Sequence, residues 1–303
     1  MRVLVTGASG FVGGHVAARL DADGHDVIAL TRRPEQYRGA GSPVGGDVTD
    51  PESLVPALDG VDAAYYLVHS LQEDDFAERD ARAATVFAAA ATTAGVGRVI
   101  YLGGLGEERD GWSEHLRSRR EVEEILIDLA PTVALRAAIV VGDGGISWEI
   151  LCQLVERLPV MVTPRWVTTR TQPIGLDDAV TYLVGVLAAD GVTSRHFDIG
   201  GPEPMTYLSM MQTAARLMDR RLLIMPIPLL TPRLSSHWLK LVTDVDTATA
   251  RALVDSMTTE VVVHDRSIEA VTGHRPLPFE AVARQALTAR ATRKGAATGA
   301  PAG

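Results

Sequence analysis

The sequence is poor in cysteine, lysine and aromatic residues, and these shortages exclude several classes of protein. A single cysteine, Cys152, rules out a disulfide within the chain, so nothing indicates an oxidising compartment. Lysine occurs only at Lys240 and Lys294 among the 29 basic residues. Acidic residues number 38 and the net charge is −9, which argues against nucleic acid as the main partner.

Long apolar runs are also missing. The most apolar stretch, residues 222–230, contains two prolines and is shorter than the roughly 20 residues that cross a bilayer. No basic segment followed by an apolar one opens the chain. The sequence therefore predicts a cytoplasmic protein without a membrane span. No group of His, Cys and Asp has metal-ligand spacing, so no metal site is predicted.

The strongest positive signal lies in the first thirteen residues. An apolar run rich in β-branched residues is followed by T-G-A-S-G-F-V-G and then by a helical pattern. Gly7 would permit a tight turn, Gly10 a close approach of backbone to pyrophosphate, and Gly13 close packing of helix on strand. Free N–H groups at the start of the helix would bind the phosphates. The turn predicts a dinucleotide site that includes Gly7, Ser9, Gly10, Phe11, Val12 and Gly13.

Strand and helix patterns alternate through the first half of the chain. This order predicts an α/β fold, a Rossmann-like doubly wound parallel sheet with helices on both faces. The predicted strands are 2–6, 26–31, 43–46, 62–67, 98–103 and 132–138. The predicted helices are 11–23, 51–58, 73–94, 113–129 and 146–157.

In the second half, prolines and methionines become frequent and the elements shorten. We predict that residues 1–145 form an NAD(P)-binding Rossmann domain and that 172–200 return to its sheet. Residues 146–171 and 201–289 would form a smaller C-terminal α/β substrate lobe. The segment 290–303, rich in alanine, glycine and basic residues, is predicted to be a disordered tail.

The end of the second predicted strand bears on the choice of cofactor. Proteins that prefer NAD usually carry an acidic residue there, but this chain has Arg32 and Arg33. Because a guanidinium grips phosphate through paired hydrogen bonds, the two arginines favour NADP(H) over NAD. The alternative is that they form a solvated pair of surface charges, with NAD as the cofactor.

Three further positions at predicted strand ends are candidates for cofactor contact. Asp47 and Val48 follow the third strand, where such folds contact adenine, although Asp47 is an equally good cap for the turn before the next helix. The fourth strand is followed by Val68, His69 and Ser70, and that strand end faces the cofactor in this fold. A catalytic role for His69 is the weaker reading.

The glycine turn and the predicted fold resemble those of the extended and atypical short-chain dehydrogenase/reductases. Members that carry out hydride chemistry typically have Tyr-x-x-x-Lys, in which tyrosine is the acid/base and lysine lowers its pKa. None of the six tyrosines here is followed four residues later by lysine. Gly103 and Gly104 stand where the resemblance places the catalytic serine. The usual catalytic set is therefore absent.

His115 and Arg119 occupy the tyrosine and lysine places of that motif, four residues apart and so on one helix face. This variant, together with Q-P-I at 172–174 and D-I-G-G-P at 198–202, is similar to the NmrA-like atypical branch of the superfamily. His115 is a candidate general acid/base near neutral pH. Arg119 cannot relay a proton, but it would hold ribose hydroxyls or a phosphate and lower the pKa of His115. The alternative is that both side chains merely cover the cofactor.

These observations favour an NADP(H)-dependent oxidoreductase acting on a small apolar carbonyl or quinone-like substrate. A second reading is a non-catalytic NAD(P)(H)-binding redox sensor or scaffold protein, which the missing tyrosine, lysine and serine favour. A nucleotide-sugar epimerase or dehydratase is a third reading, although its chemistry needs a base like the absent tyrosine. Base rates for oligomers favour a homodimer.

Overall fold

The structure is a computed structural model that describes residues 1–69, 75–106, 112–226 and 255–298. The described residues fall into two compact units. The first unit comprises Met1–Ala137, Ala179–Ile199 and His264–His274. The second unit comprises Ala138–Asp178, Gly200–Val263 and Arg275–Gly303.

A parallel sheet forms the centre of the first unit. Its strand order is β11-β6-β5-β4-β1-β2-β3, with every neighbouring pair parallel. The order reverses direction between β1 and β4, as a doubly wound fold requires, and this confirms the predicted fold class. The described strands of this sheet are β1 (Arg2–Thr6), β2 (Asp26–Thr31), β3 (Ser42–Gly45), β4 (Ala63–Tyr66), β5 (Arg98–Gly104), β6 (Thr132–Ala137) and β11 (Arg195–Ile199).

Helices cover both faces of this sheet. Successive residues of a strand point to opposite faces. Tyr66 packs in an apolar cluster with Phe87 of the helix that follows β4, while the hydroxyl of Tyr65 donates to the Leu183 carbonyl at 3.0 Å. The helices of this unit are α1 (Phe11–Ala22), α2 (Pro51–Leu58), α3 (Phe76–Thr93), α4 (Glu114–Leu129), α6 (Leu176–Gly185, from Ala179 onward) and α8 (Ser267–Thr272), with a 3₁₀ turn at Pro34–Gln36.

Capping residues determine where two of these helices begin. The Asp50 carboxylate accepts from the Glu52 N–H at 3.1 Å at the start of α2, where Pro51 takes the first helical position. At the start of α4, the Ser113 hydroxyl accepts from the Leu116 N–H at 3.2 Å. The elements predicted for the first half of the chain are all found, with ends shifted by at most three residues.

The second unit has an apolar core between helices, which includes Trp148, Cys152, Met210 and Met211. Short strand pairs accompany it, β7 with β10 and β8 with β13 in parallel and β9 with β12 antiparallel. Its elements are β7 (Val140–Val141), α5 (Ile146–Arg157), β8 (Val160–Thr163), a 3₁₀ turn (Arg165–Thr168), β9 (Arg170–Thr171), β10 (Ile174–Gly175), β12 (Met205–Thr206), α7 (Tyr207–Leu217), β13 (Leu223–Pro226) and α9 (Phe279–Thr298).

The last helix includes residues 290–298 of the segment 290–303 that was expected to be disordered, and residues 299–303 lie outside the described residues. Helix α9 continues to Thr298, and the side chain of Arg290 is only 5% exposed. Its Nε donates to Glu149 at 2.9 Å, and its terminal nitrogens pair with Glu156. Alanine-rich sequence favours helix once such tertiary contacts hold it in place.

The first continuous segment of the first unit ends at Ala137, earlier than the expected boundary at residue 145. Within the described ranges, no helix is long and apolar enough to cross a membrane.

Candidate functional site

The turn between β1 and α1 has the geometry that its glycines predict. Gly7 has φ +68°, and a Cβ there would lie 2.6 Å from the Leu67 carbonyl oxygen. A Cβ on Gly13 would lie 2.2 Å from the Gly7 carbonyl oxygen. Both distances are shorter than van der Waals contact allows, so neither position accepts a side chain. The two glycines therefore let α1 pack directly against the turn and the end of β4.

Gly10 differs from these two because it is exposed and less tightly enclosed. Its N–H donates to the Gly7 carbonyl at 2.8 Å, and a Cβ on it would meet only that oxygen, at 3.1 Å. Helix α1 begins at the next residue, Phe11, with no side-chain cap among the described residues and no acidic residue in its first turn. Ser9 is exposed and Val12 is half-buried beside it. Unsatisfied N–H groups, the positive end of the helix dipole and an open backbone fit the diphosphate of a dinucleotide.

The two arginines after β2 are exposed. The backbone N–H of Arg33 donates to the Thr31 hydroxyl at 3.3 Å, which shapes the turn out of the strand. Neither Arg32 nor Arg33 forms an ion pair with any residue that the structure describes. Their guanidinium groups are therefore available to an anionic ligand at this strand end.

Asp47, after β3, is engaged with its own turn. Its Oδ1 accepts from the Thr49 N–H at 2.9 Å and from the Thr49 hydroxyl at 2.7 Å. Burial alone would raise the pKa of Asp47, but these two hydrogen bonds and the charges of Arg32 and Arg79 bring it below its usual value. The carboxylate thus stabilises the turn that leads into α2, where Asp50 is the cap. Val48 is half-buried against the apolar core, and adenine contact by either residue stays a prediction.

The segment after β4 lies directly against the glycine turn. Val68 is half-buried, and its Cγ1 would be 3.4 Å from a Cβ on Gly7. Partial burial of its ring, and after it the charge of Arg119, lowers the pKa of His69. The side chain nevertheless remains exposed, so water offsets part of that shift. Ser70, the third candidate of this segment, lies outside the described residues.

Helix α4 holds Arg119 in a buried ion pair. The Nη2 of Arg119 donates to Oδ2 of Asp80, on α3, at 3.1 Å, and their side chains are 8% and 6% exposed. The Nε of Arg119 is buried and has no hydrogen-bond partner in the described part of the chain. A Cβ on Gly104 would lie 3.5 Å from Cβ of Arg119 and 3.2 Å from Leu116. The glycine at the end of β5 therefore lets α4 approach the strand closely.

His115, one turn before Arg119, is half-buried. Its Nδ1 is buried without a hydrogen-bond partner, as far as the described ranges extend. Burial lowers the pKa of His115 to about 3, and the charges of Arg119 and His69 act in the same direction. This direction differs from the expectation of titration near neutral pH, because burial reduces the hydration that stabilises the imidazolium. A catalytic role for His115 stays a prediction. At neutral pH the ring is uncharged.

Tyr101 does not replace the missing catalytic tyrosine. Its ring is fully buried behind α4, and its hydroxyl donates to the Arg119 carbonyl at 3.2 Å. Burial raises the pKa of this hydroxyl to about 12. A phenol that is already bonded to backbone and hard to ionise cannot exchange protons with a ligand. Its role is to anchor α4 to β5.

Asp80 is the residue of this region that the sequence analysis did not identify. It lies on the buried stripe of α3, four residues after Phe76 and seven before Phe87, where the pattern predicts an apolar side chain. An acidic residue on such a stripe was the available signal. No metal-binding cluster of His, Cys, Asp or Glu occurs among the residues with described positions.

Comparison with known proteins agrees with this geometry. A family model described as NAD(P)H-binding matches residues 7–152. The (4-alkanoyl-5-oxo-2,5-dihydrofuran-3-yl)methyl phosphate reductase of Streptomyces griseus is 32% identical over 232 residues, which cover 73% of this chain and 75% of that protein. A 2-alkyl-3-oxoalkanoate reductase of Stenotrophomonas maltophilia is 27% identical over 186 residues, 52% of this chain and 56% of its own. An uncharacterized protein of Mycobacterium tuberculosis is 28% identical over 210 residues, and the chain spans only 22% of its length.

Solved structures show the same fold. The triphenylmethane reductase of Citrobacter sp., complexed with NADP(H), superposes with a TM-score of 0.77 at 18% identity, covering 94% of this chain and 100% of that one. A nucleoside-diphosphate-sugar epimerase of Staphylococcus aureus gives a TM-score of 0.78 at 13% identity, with coverage of 94% and 100%. The fold and the glycine turn define a Rossmann-type NAD(P)-binding protein. The chain belongs to the atypical, NmrA-like short-chain dehydrogenase/reductases, a reductase-like NAD(P)H-binding family.

Proposed function

We propose that this protein is an NADP(H)-dependent reductase of a small apolar carbonyl or quinone-like compound. The observation that carries the proposal is a pair of buried nitrogens on one face of α4, Nδ1 of His115 and Nε of Arg119, for which the described residues provide no partner. Buried polar atoms without partners cost free energy, and they are normally satisfied by a ligand or water. Oxygen atoms of a bound nucleotide and of a substrate carbonyl would satisfy both.

Arg119 and His115 would have different roles, because the first is charged and the second is neutral. A bound nicotinamide would supply the hydride chemistry. The guanidinium of Arg119 would hold a ribose hydroxyl through its Nε, which has no hydrogen-bond partner among the described residues. The uncharged ring of His115 would orient a substrate carbonyl by a hydrogen bond, as a neutral imidazole does when its pKa is depressed. Because imidazolium is scarce at neutral pH, the proton for the reduced oxygen would come from water held beside His115.

The preference for NADP(H) rests on the end of β2. Arg32 and Arg33 are exposed and directly follow β2, the strand at whose end this fold generally binds the 2′ position of the adenine ribose. A 2′-phosphate would gain charge-assisted hydrogen bonds from them, which a 2′-hydroxyl could not match. The structural neighbour from Citrobacter sp. is complexed with NADP(H).

The substrate class is supported by the names of two reductases that are similar in sequence. Both names describe oxo compounds with alkyl or alkanoyl groups, which also carry a phosphate in one case and a carboxylate in the other. The predicted role of the second unit as substrate lobe is part of the same proposal.

A non-catalytic redox sensor or scaffold is the second candidate. It is favoured by Gly103 and Gly104 where serine would stand, and by a pKa of His115 too low for general acid catalysis at neutral pH. An epimerase or dehydratase is less well supported, because Tyr101, the tyrosine behind α4, is buried, bonded to backbone and hard to ionise, so it does not supply the tyrosine base that those reactions use.

The first test is a titration of the purified protein with NADPH and NADH, followed by nicotinamide fluorescence. A panel of 2-alkyl-3-oxoalkanoates, aldehydes and quinones is then added to the NADPH complex. Oxidation of NADPH by a panel member supports the reductase. Tight binding without oxidation supports the sensor, and absence of binding to either nucleotide overturns both.

Nucleotide preference is tested with the double variant Arg32→Ser/Arg33→Ser. We expect its affinity for NADPH to fall by about 10-fold or more, because each lost charged hydrogen bond is worth about 1.5–3 kcal/mol, while its affinity for NADH stays unchanged. Arg38→Ser is the matched control, since Arg38 is also exposed but bonds to the carbonyls of Glu35 and Tyr37. Equal losses for NADPH and NADH would contradict the assignment of the 2′-phosphate site.

A further inference from the structure

The ion pair between Asp80 and Arg119 lies in an unusual place for two charges. Asp80 occurs on the stripe of α3 that packs against α4, in line with Phe76, Ala84 and Phe87. Taking two charged groups out of water costs free energy that their attraction often does not recover, and an apolar pair would pack at least as well there. Fold stability alone therefore does not account for this pair.

The geometry of the pair determines which nitrogen of Arg119 remains for a ligand. Asp80 accepts from Nη2, at the far end of the guanidinium, while Nε has no partner in the described structure. A guanidinium is planar and rigid, so one carboxylate on Nη2 restricts the direction of the Nε–H. The backbone beneath is held as well, because the Arg119 carbonyl accepts from Tyr101 at 3.2 Å.

We propose that Asp80 is a positioning residue for the nucleotide site, which holds Arg119 so that its Nε is presented to the nicotinamide ribose. Asp80 does not touch the ligand and acts through Arg119. The inference rests on the proposed function, because it explains how Arg119 is held for the ribose contact that is proposed above. Its role is analogous to that of a carboxylate that orients a ligand-binding side chain from behind.

The test is a double-mutant cycle on NADPH affinity, measured by fluorescence with the full chain in the absence of substrate. We expect Asp80→Asn and Arg119→Met each to weaken NADPH binding by about 10-fold, the value of one hydrogen bond to a charged group. The double variant should also bind about 10-fold more weakly, since Asp80 acts only through Arg119 and the two effects do not add. A loss of NADPH affinity of about 100-fold in the double variant would show that the two residues act independently, and it would contradict the inference.

A matched control separates positioning from stability. Glu123 of α4 forms another buried ion pair, with Arg136 of β6. The Nε of Arg136 donates to the two carboxylate oxygens of Glu123 at 2.9 and 3.0 Å. Glu123→Gln should lower the melting temperature much as Asp80→Asn does, yet leave NADPH affinity within about twofold of wild type. If Asp80→Asn also binds NADPH like wild type, Asp80 is merely structural and the inference is wrong.

Two further outcomes keep the inference distinct from the proposed function. If Asp80→Asn fails to fold, Asp80→Glu takes its place, because it retains the charge and displaces it by one methylene. We expect its affinity for NADPH to lie between those of wild type and Arg119→Met. Wild-type affinity would contradict the inference. If Arg119→Met weakens binding while both Asp80 variants do not, only the role of Asp80 fails. If wild type binds no NADPH, the proposed function fails with it.

Discussion

Single glycines separate packing from ligand binding in the turn after β1. Gly7 and Gly13 exclude a Cβ because backbone carbonyls lie within 2.6 and 2.2 Å of its position. At Gly10 a Cβ would meet one oxygen at 3.1 Å and otherwise open space. The same spacing motif therefore contains two positions that serve the fold and one position, Gly10, that we propose serves a ligand.

Gly10→Ala should separate these two roles. Its φ of −86° suits alanine, so we expect the free energy of unfolding to change by less than about 1 kcal/mol. NADPH affinity should fall by about 10-fold or more, because the methyl group displaces the diphosphate from the N–H groups of α1. Fluorescence titration measures the affinity. The control is Gly14→Ala, a substitution within α1 whose Cβ would also meet one backbone oxygen, that of Ala8, at 3.2 Å. Equal losses of affinity in both variants would argue against a phosphate site at Gly10.

His115 makes stability depend on pH in a predictable direction. In the unfolded chain its imidazole takes up a proton near pH 6.5, while in the folded protein its pKa is about 3. Below pH 6.5 the unfolded state therefore binds more protons, and the free energy of unfolding falls as the pH falls.

We expect wild type to lose about 2 kcal/mol more stability than His115→Gln between pH 6.5 and 5, from about 1.4 kcal/mol per pH unit. Urea unfolding at several pH values measures this difference, and the comparison at pH 7 isolates the packing effect of the substitution. Parallel stability curves for the two proteins would show that His115 is protonated in the folded state.

Helix α9 illustrates how contacts between elements override local composition. Its residues after 289 read as a disordered tail, yet Arg290 pairs with Glu149 and Glu156 of α5, and Arg293 pairs with Asp143 at 2.8 Å. These ion pairs hold the last turns of α9 against α5 and the residues before it, within the second unit.

Arg290→Ala should destabilise the second unit by about 3 kcal/mol, because it removes the buried cation that Glu149 and Glu156 share and leaves them only the exposed side chains of Arg293 and Lys294. Arg284→Ala on the same helix is the matched control, since Arg284 is 64% exposed and its pair with Glu280 is worth less than about 1 kcal/mol. Urea unfolding gives both values. Similar losses for the two variants would contradict a special role of the buried pair.

The α/β elements of the first half could be predicted from the sequence because their signals are local. Glycine spacing, capping residues and apolar periodicity act within a few positions of the chain. The two-residue strands β7, β9, β10 and β12 could not be predicted in this way. Each exists only through a partner, as when Met205 pairs with Thr171, and a pattern of two residues has no period.

At the scale of the whole sheet, strand order brings the candidate residues of the first unit together. The order β5-β4-β1-β2 places the ends of these four strands side by side, and parallel strands end at one edge. The residues that follow them include Gly10, Arg32, His69 and, on α4, Arg119. This edge is therefore where a nucleotide would find the phosphate, ribose and nicotinamide contacts proposed above.

The sequence by itself determined the fold class, the glycine turn and the family, because each depends on residues close together along the chain. Only the tertiary structure decided the chemical state of the site. It paired Arg119 with Asp80 across 39 residues and Arg290 with Glu149 across 141, and it buried His115 until its pKa fell to about 3. Burial and pairing are set by neighbours from distant segments, and their effects on charge appear only once the chain has packed.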